Sequence, residues 1–138
     1  MMRCVLAILI ICLCAVSARA DWLFRPVDHG GPILERLVEI NEARKAGVPH
    51  RIEGDCESSC TLWLSYERAC IEPDAMLWFH AAYSPGKIVD GSANAVALNV
   101  YPRKVRNVIR NWLHTPEFTP DHTLTGRDLI GLGIRACN

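Results

Sequence analysis

The sequence predicts a single α/β domain, and three observations predict it. Apolar stripes at helical spacing alternate along the chain with short apolar runs of strand type. Turns rich in glycine and proline separate them. Once an N-terminal leader is set aside, 118 of the 138 residues remain, enough for one core and too few for two.

The leader is residues 1–20. Met1-Met2-Arg3 is a short basic start, residues 4–16 form an apolar run, and Ser17-Ala18-Arg19-Ala20 closes it with an Ala18-x-Ala20 cleavage pattern. A spanning helix needs about 20 apolar residues, more than this run supplies. Cys12 and Cys14 follow Ile11 and Leu13, which does not suit a lipoprotein. The expectation is a domain of residues 21–138, periplasmic or secreted, with no stable membrane insertion.

Within that domain, residues 21–28 are expected as a first strand or arm. His29-Gly30-Gly31-Pro32 is a turn whose proline introduces a helix over residues 33–46, apolar at 33, 34, 37, 38 and 40. Gly47-Val48-Pro49 ends it. Residues 50–53 read as a strand delivering the chain to Gly54. A turn over residues 56–60 leads into a buried helix, residues 61–66. Residues 69–71 and 75–80 are extended pieces around the Pro73-Asp74 turn, and residues 83–91 are a loop. Residues 93–113 form a helical stretch interrupted by Pro102, with Val105, Val108, Ile109 and Trp112 on one face. A turn between Pro116 and Pro120, a short helix over 128–132 and a terminal strand over 133–137 complete the chain.

Charge narrows the partners. Fifteen Lys+Arg meet fifteen Asp+Glu, and removing Arg3 and Arg19 with the leader leaves a net −2. That balance supplies no attraction for nucleic acid or an anionic membrane. Nothing in the sequence sets an oligomeric state or asks for a cofactor.

Cysteine usage fits export. Cys4, Cys12 and Cys14 leave with the leader, while Cys56, Cys60, Cys70 and Cys137 stay. An even number in an exported chain favours two disulfides, with three connectivities open. A zinc site would want tight pairs such as C-x2-C, and a thiol oxidoreductase C-x-x-C. The spacing here is C-x3-C, so no metal is expected.

The densest chemistry lies in Gly54-Asp55-Cys56-Glu57-Ser58-Ser59-Cys60-Thr61 and in Leu77-Trp78-Phe79-His80. A strand, a tight turn carrying serine and an apolar helix expose a hydroxyl beside backbone N–H groups able to receive an oxyanion. A histidine ending an apolar strand can act as its base. The plainer alternative is that Ser58 or Ser59 caps the following helix.

These residues resemble the proteolytic subunit of Clp protease and the wider Clp/crotonase-like superfamily. There a Gly-x-x-x-Ser turn, here Gly54 to Ser58, holds the nucleophile, and an apolar strand ending in His, here His80, supplies the base. Small exported relatives are similar in a Cys-x-Ser-x-Cys-Thr turn and a Phe-His-Ala strand, here residues 56–61 and 79–81. Gly30-Gly31 resembles the pair that donates an oxyanion N–H, and residues 124–134 resemble the closing helix and strand. An Asp twelve residues before that strand's glycine, here Asp121 before Gly133, completes the family's triad.

The resemblance implies a reduced fold of repeated β-β-α units and a serine hydrolase acting on peptides. Ser58, His80 and Asp121 would be catalytic, with the Gly31 and Ser59 N–H groups as oxyanion hole. It also implies the pairing Cys70–Cys137, from adjacent strands, which leaves Cys56–Cys60 across the serine turn. The chain departs from the family in Glu57, a carboxylate beside the oxyanion position, and in Ser59, a second hydroxyl. A non-catalytic, disulfide-stabilised binding or structural domain of the same fold is the alternative. Elsewhere, His29, His50, His114 and His122 are expected at the surface and Trp63, Trp78 and Trp112 in the core. Arg103, Lys104, Arg106 and Arg110 are expected as a solvated basic face.

Overall fold

The computed structural model describes residues 25–138. The leader expected over residues 1–20, and residues 21–24, lie outside the described residues. In chain order the elements are β1 (Val27–Asp28), α1 (Ile33–Ala46), β2 (His50–Ile52), β3 (Asp55–Glu57), a 3₁₀ helix (Ser58–Ser65), β4 (Ala69–Ile71) and β5 (Met76–Trp78). There follow β6 (Tyr83–Ser84), β7 (Ile88–Val89), α2 (Gly91–Val100), α3 (Arg103–Ile109), a 3₁₀ turn (Pro120–His122), β8 (Thr123–Thr125) and α4 (Gly126–Gly131). The α/β class stands.

One sheet has the order β1-β3-β5-β8, its first three strands parallel and β8 antiparallel to β5. A second pairs β2 with β4 in parallel and is extended by a bridge from Ile71 to Ala136. The chain therefore passes twice from the smaller sheet to the larger, β2 to β3 and β4 to β5. The core draws on both sheets and on the helices. Cys56 and Leu77, opposite each other at the centres of β3 and β5, are fully buried over Ile40, Leu62, Phe79, Val105, Ile109 and Leu129.

α1 falls where the spacing predicts, because Gly47 at φ 66 closes it with N–H bonds to the Ala43 and Arg44 carbonyls. Its apolar stripe is divided, though. Ile40 is buried while Leu34 and Val38 are exposed.

Other elements differ from the sequence expectation. Residues 55–57 are a strand rather than part of a turn, and the helix after them begins at Ser58. The expected loop 83–91 holds the β6–β7 hairpin. The helical stretch begins at Gly91, because the Asp90 carboxylate accepts from the Ser92 and Ala93 N–H groups, and it breaks at Pro102 into two helices. The last helix starts at Gly126, where Thr125 and Asp128 form a capping box. The terminal strand reduces to the single Ala136 bridge.

Two disulfides close the fold, Cys56–Cys60 and Cys70–Cys137. Among the described residues no helix is long and apolar enough to cross a membrane.

Candidate functional site

A cavity of about 680 Å³ opens between α1, the 3₁₀ helix, the end of β5 and α2, and Gly31, Ser58, Ser59 and His80 all line it. Each is placed there by a local feature of the chain.

Ser58 is the junction of β3 and the 3₁₀ helix and carries φ 54. A left-handed conformation is uncommon for a residue with a Cβ and persists only where its surroundings enforce it. Three contacts enforce it here. The Cys56–Cys60 disulfide ties the strand before Ser58 to the helix after it. The Thr61 hydroxyl donates to the Ser58 carbonyl at 2.6 Å and lies 2.5 Å from the Tyr101 hydroxyl. Thr61 has one hydrogen and spends it on Ser58, so Tyr101 donates to Thr61. Burial pushes the Tyr101 phenol well above its ordinary range, which keeps that proton in place.

The third contact is Gly30. A Cβ at this position would meet the Glu57 carbonyl at 2.6 Å, the Ser58 Cβ at 2.8 Å and the Ser59 nitrogen at 2.8 Å. Only glycine allows this approach at φ 80. Asp28 holds the loop by accepting from the Gly30 N–H and from Arg36, both at 2.8 Å. Gly31 faces open space, and its N–H finds no acceptor among the described residues. The Ser59 N–H lies in the first turn of its helix, where backbone donors have no intrahelical partner.

His80 follows β5 and is half-buried. Its Nδ1 lies 2.7 Å from the Ala81 carbonyl. A carbonyl only accepts, so Nδ1 carries the hydrogen and Nε2 keeps its lone pair. Burial holds the imidazole below its usual value, against the opposing effects of the Ala81 hydrogen bond and of Glu57 and Glu117. At neutral pH it is an uncharged base. Phe118 braces it edge-on at 4.5 Å.

The remaining sequence candidates divide. Glu57 does not line the cavity; it pairs with His29 at 2.7 Å. Asp121 is exposed on the 3₁₀ turn, lines no part of the cavity and makes no hydrogen bond to His80, whose Nδ1 is on Ala81 instead. Asp121 is expected from its spacing twelve residues before Gly133; the fold gives the Nδ1 of His80 to the Ala81 carbonyl instead. His50 is half-buried and stacked on Trp63 at 3.7 Å, and His122 is half-buried against Trp112, so neither is a surface histidine. Trp63 is core, while Trp78 and Trp112 are half-buried. Arg106 is half-buried and donates to the Tyr101 carbonyl; Arg103, Lys104 and Arg110 are exposed.

Two cavity residues escaped the sequence reading. Tyr101 stands beside Pro102, and Asn94 is a polar position within a helix. The packing of α2 against the 3₁₀ helix brings both to the cavity. Comparison with protein-family models, with curated proteins and with solved structures returned no match to this chain.

Proposed function

We propose that this chain is an exported serine hydrolase that works through Ser58 and His80. The observation that carries the reading is the strained serine at a strand-to-helix junction, opening onto the same cavity as a neutral histidine. Ser58 Oγ attacks a carbonyl carbon while His80 Nε2 takes its proton. The N–H groups of Gly31 and Ser59 receive the oxyanion. His80 returns the proton to the leaving group, and water, activated by the same nitrogen, cleaves the acyl-enzyme. The Ala81 carbonyl, rather than Asp121, orients the imidazole.

Two strand–strand passages between sheets, the Gly30-Gly31 loop against the serine turn and the resemblance in residues 54–61 and 77–81 support a Clp/crotonase-like fold. They make peptides the leading substrate class. The two disulfides support export to an oxidising compartment, periplasmic or extracellular.

The test is hydrolysis of activated esters and capped peptide amides by the mature protein. Ser58→Ala and His80→Ala should each lower kcat/KM by about 10³-fold or more. Ser59→Ala, which keeps its backbone N–H, and Asp121→Asn should stay within a few-fold of wild type. Loss on Ser59→Ala with Ser58→Ala unaffected would move the nucleophile by one residue. No hydrogen bond joins Ser58 to His80 among the described residues, and this favours a second reading, a binding domain of the same fold. That reading holds if the cavity takes ligand and the wild type turns nothing over.

A further inference from the structure

We infer that Asn94 reads the ligand of this cavity, donating from its side-chain amide to a carbonyl oxygen other than the one attacked. The inference rests on the cavity proposed above as the binding site and narrows what enters it. Asp90 fixes the first turn of α2, so Asn94 is delivered to the inner face one turn on. It is 6% exposed and lines the cavity. Its Oδ1 accepts from the Ala82 N–H at 2.7 Å, and that contact decides which way the amide points, since the opposite orientation would set two donors against each other.

The NH₂ group is left buried without a partner among the described residues. An unpaired buried donor costs about 1–3 kcal/mol, so one is retained where a ligand supplies the acceptor. The Ser59 hydroxyl, in the same cavity, is also buried and unpaired.

The rest of the lining states what kind of molecule carries that acceptor. Ile33, Leu34, Phe79, Ala97 and Leu113 give apolar walls. Glu35 and Asp90 are its carboxylates, and no lysine or arginine is among the described lining residues. His29 at the rim is already paired with Glu57, so a phosphate or free carboxylate would meet these two acids with no lysine or arginine to balance it. The ligand is therefore uncharged or cationic, apolar in its substituents, and bears a second carbonyl, as an acyl-amide chain does and a plain alkyl ester does not.

The experiment measures binding to the mature Ser58→Ala protein of two uncharged probes of equal length, a capped apolar dipeptide and an alkyl ester. The Asn94 parent should bind the dipeptide about tenfold more tightly or better, as expected when a buried donor is matched in one ligand and orphaned by the other. Asn94→Asp preserves shape and the bond from Ala82 while replacing the donor with an acceptor. It should erase that preference and leave ester binding unchanged. The ¹⁵N–¹H resonances of the Asn94 amide should move with the dipeptide and stay still with the ester, a readout that needs no Asn94 variant. Equal weakening of both probes by Asn94→Asp, unmoved Asn94 resonances, or an ester bound as well as the dipeptide would overturn the inference. If the probe pattern holds and the wild type hydrolyses nothing, the hydrolase reading fails and the role of Asn94 stands. Hydrolysis without the pattern means the reverse.

Discussion

The serine turn at the cavity is held by several contacts at once, whereas the β6–β7 hairpin, which gives the cavity Tyr83, stands in solvent. Ser58 is fixed by a disulfide, by Gly30 beneath it and by the Tyr101–Thr61 relay at its carbonyl. The hairpin strands pair with each other alone among the described residues. Tyr83 and Ile88 there are 49% and 68% exposed. Reacting atoms tolerate only small displacements, so a wall that carries them must be over-determined. A wall that merely offers apolar area does not need to be.

The disulfides separate stability from reactivity most sharply. Cys70–Cys137 spans 67 positions, and replacing both cysteines by alanine should cost roughly 4 kcal/mol on the chain-entropy relation. It lies away from the serine turn, so Ser58 in the folded variant should react at close to the wild-type rate. Cys56–Cys60 spans only 4 positions and should cost roughly 2 kcal/mol on the same relation. Its loss should nevertheless slow Ser58 more. Urea unfolding and the rate of serine labelling, measured on both double variants, check this. Equal slowing by the two would break the contrast between the walls.

A second pair compares glycines. Gly30→Ala forces a Cβ into the Glu57 and Ser59 backbone and the Ser58 Cβ at positive φ and should destabilise by roughly 3 kcal/mol, combining left-handed strain with overpacking. Gly86, in the hairpin loop at φ 82, has nothing within 4 Å of such a Cβ. Gly86→Ala should cost about 1 kcal/mol, the backbone term alone, and leave reactivity unchanged. Urea unfolding measures the difference.

The smallest effect is that of pH. Burial lowers the pKa of both His80 and His50, so protonating either is harder in the folded state than in the unfolded chain. Their contribution is complete above the ordinary histidine value of 6.5 and is lost as the pH falls below it. Stability should decline modestly from pH 7 to 5. Reactivity should be flat near neutrality and fall only on the acid side of 6.5, because His80 keeps its lone pair until then. A labelling rate that climbed between pH 7 and 8 would contradict the assignment of His80 as base.

What the sequence made legible follows from how local each signal was. α1 is bounded by a Gly-Val-Pro stop, and β4 is a short apolar run between turns, so both could be read directly. The pairing of the four cysteines came through family resemblance, and the fold closes the same two bonds. β3 was hidden because Asp55 and Glu57 make a polar stretch out of a strand whose only buried residue is Cys56. β8 is three residues that gain their identity by pairing with β5, which no local pattern announces. Ser58, Ser59 and His80, singled out by residue type, spacing and resemblance, line one cavity. Asn94 was not singled out, since its meaning lies in a burial that arises only when α2 packs beside the 3₁₀ helix. Asp121 rested on spacing across a loop, and the fold shows only that it lies outside the cavity lining while His80 Nδ1 is on the Ala81 carbonyl.

The central claim is that the over-determined wall carries a reactive serine. It is tested most directly by treating the protein comprising residues 21–138 with a fluorophosphonate and locating the adduct by peptide mass spectrometry. The account predicts one adduct, on Ser58, absent from Ser58→Ala and from His80→Ala and retained in Ser59→Ala. An adduct on Ser59, or a wild-type protein that takes no label while its cavity still binds ligand, would contradict it.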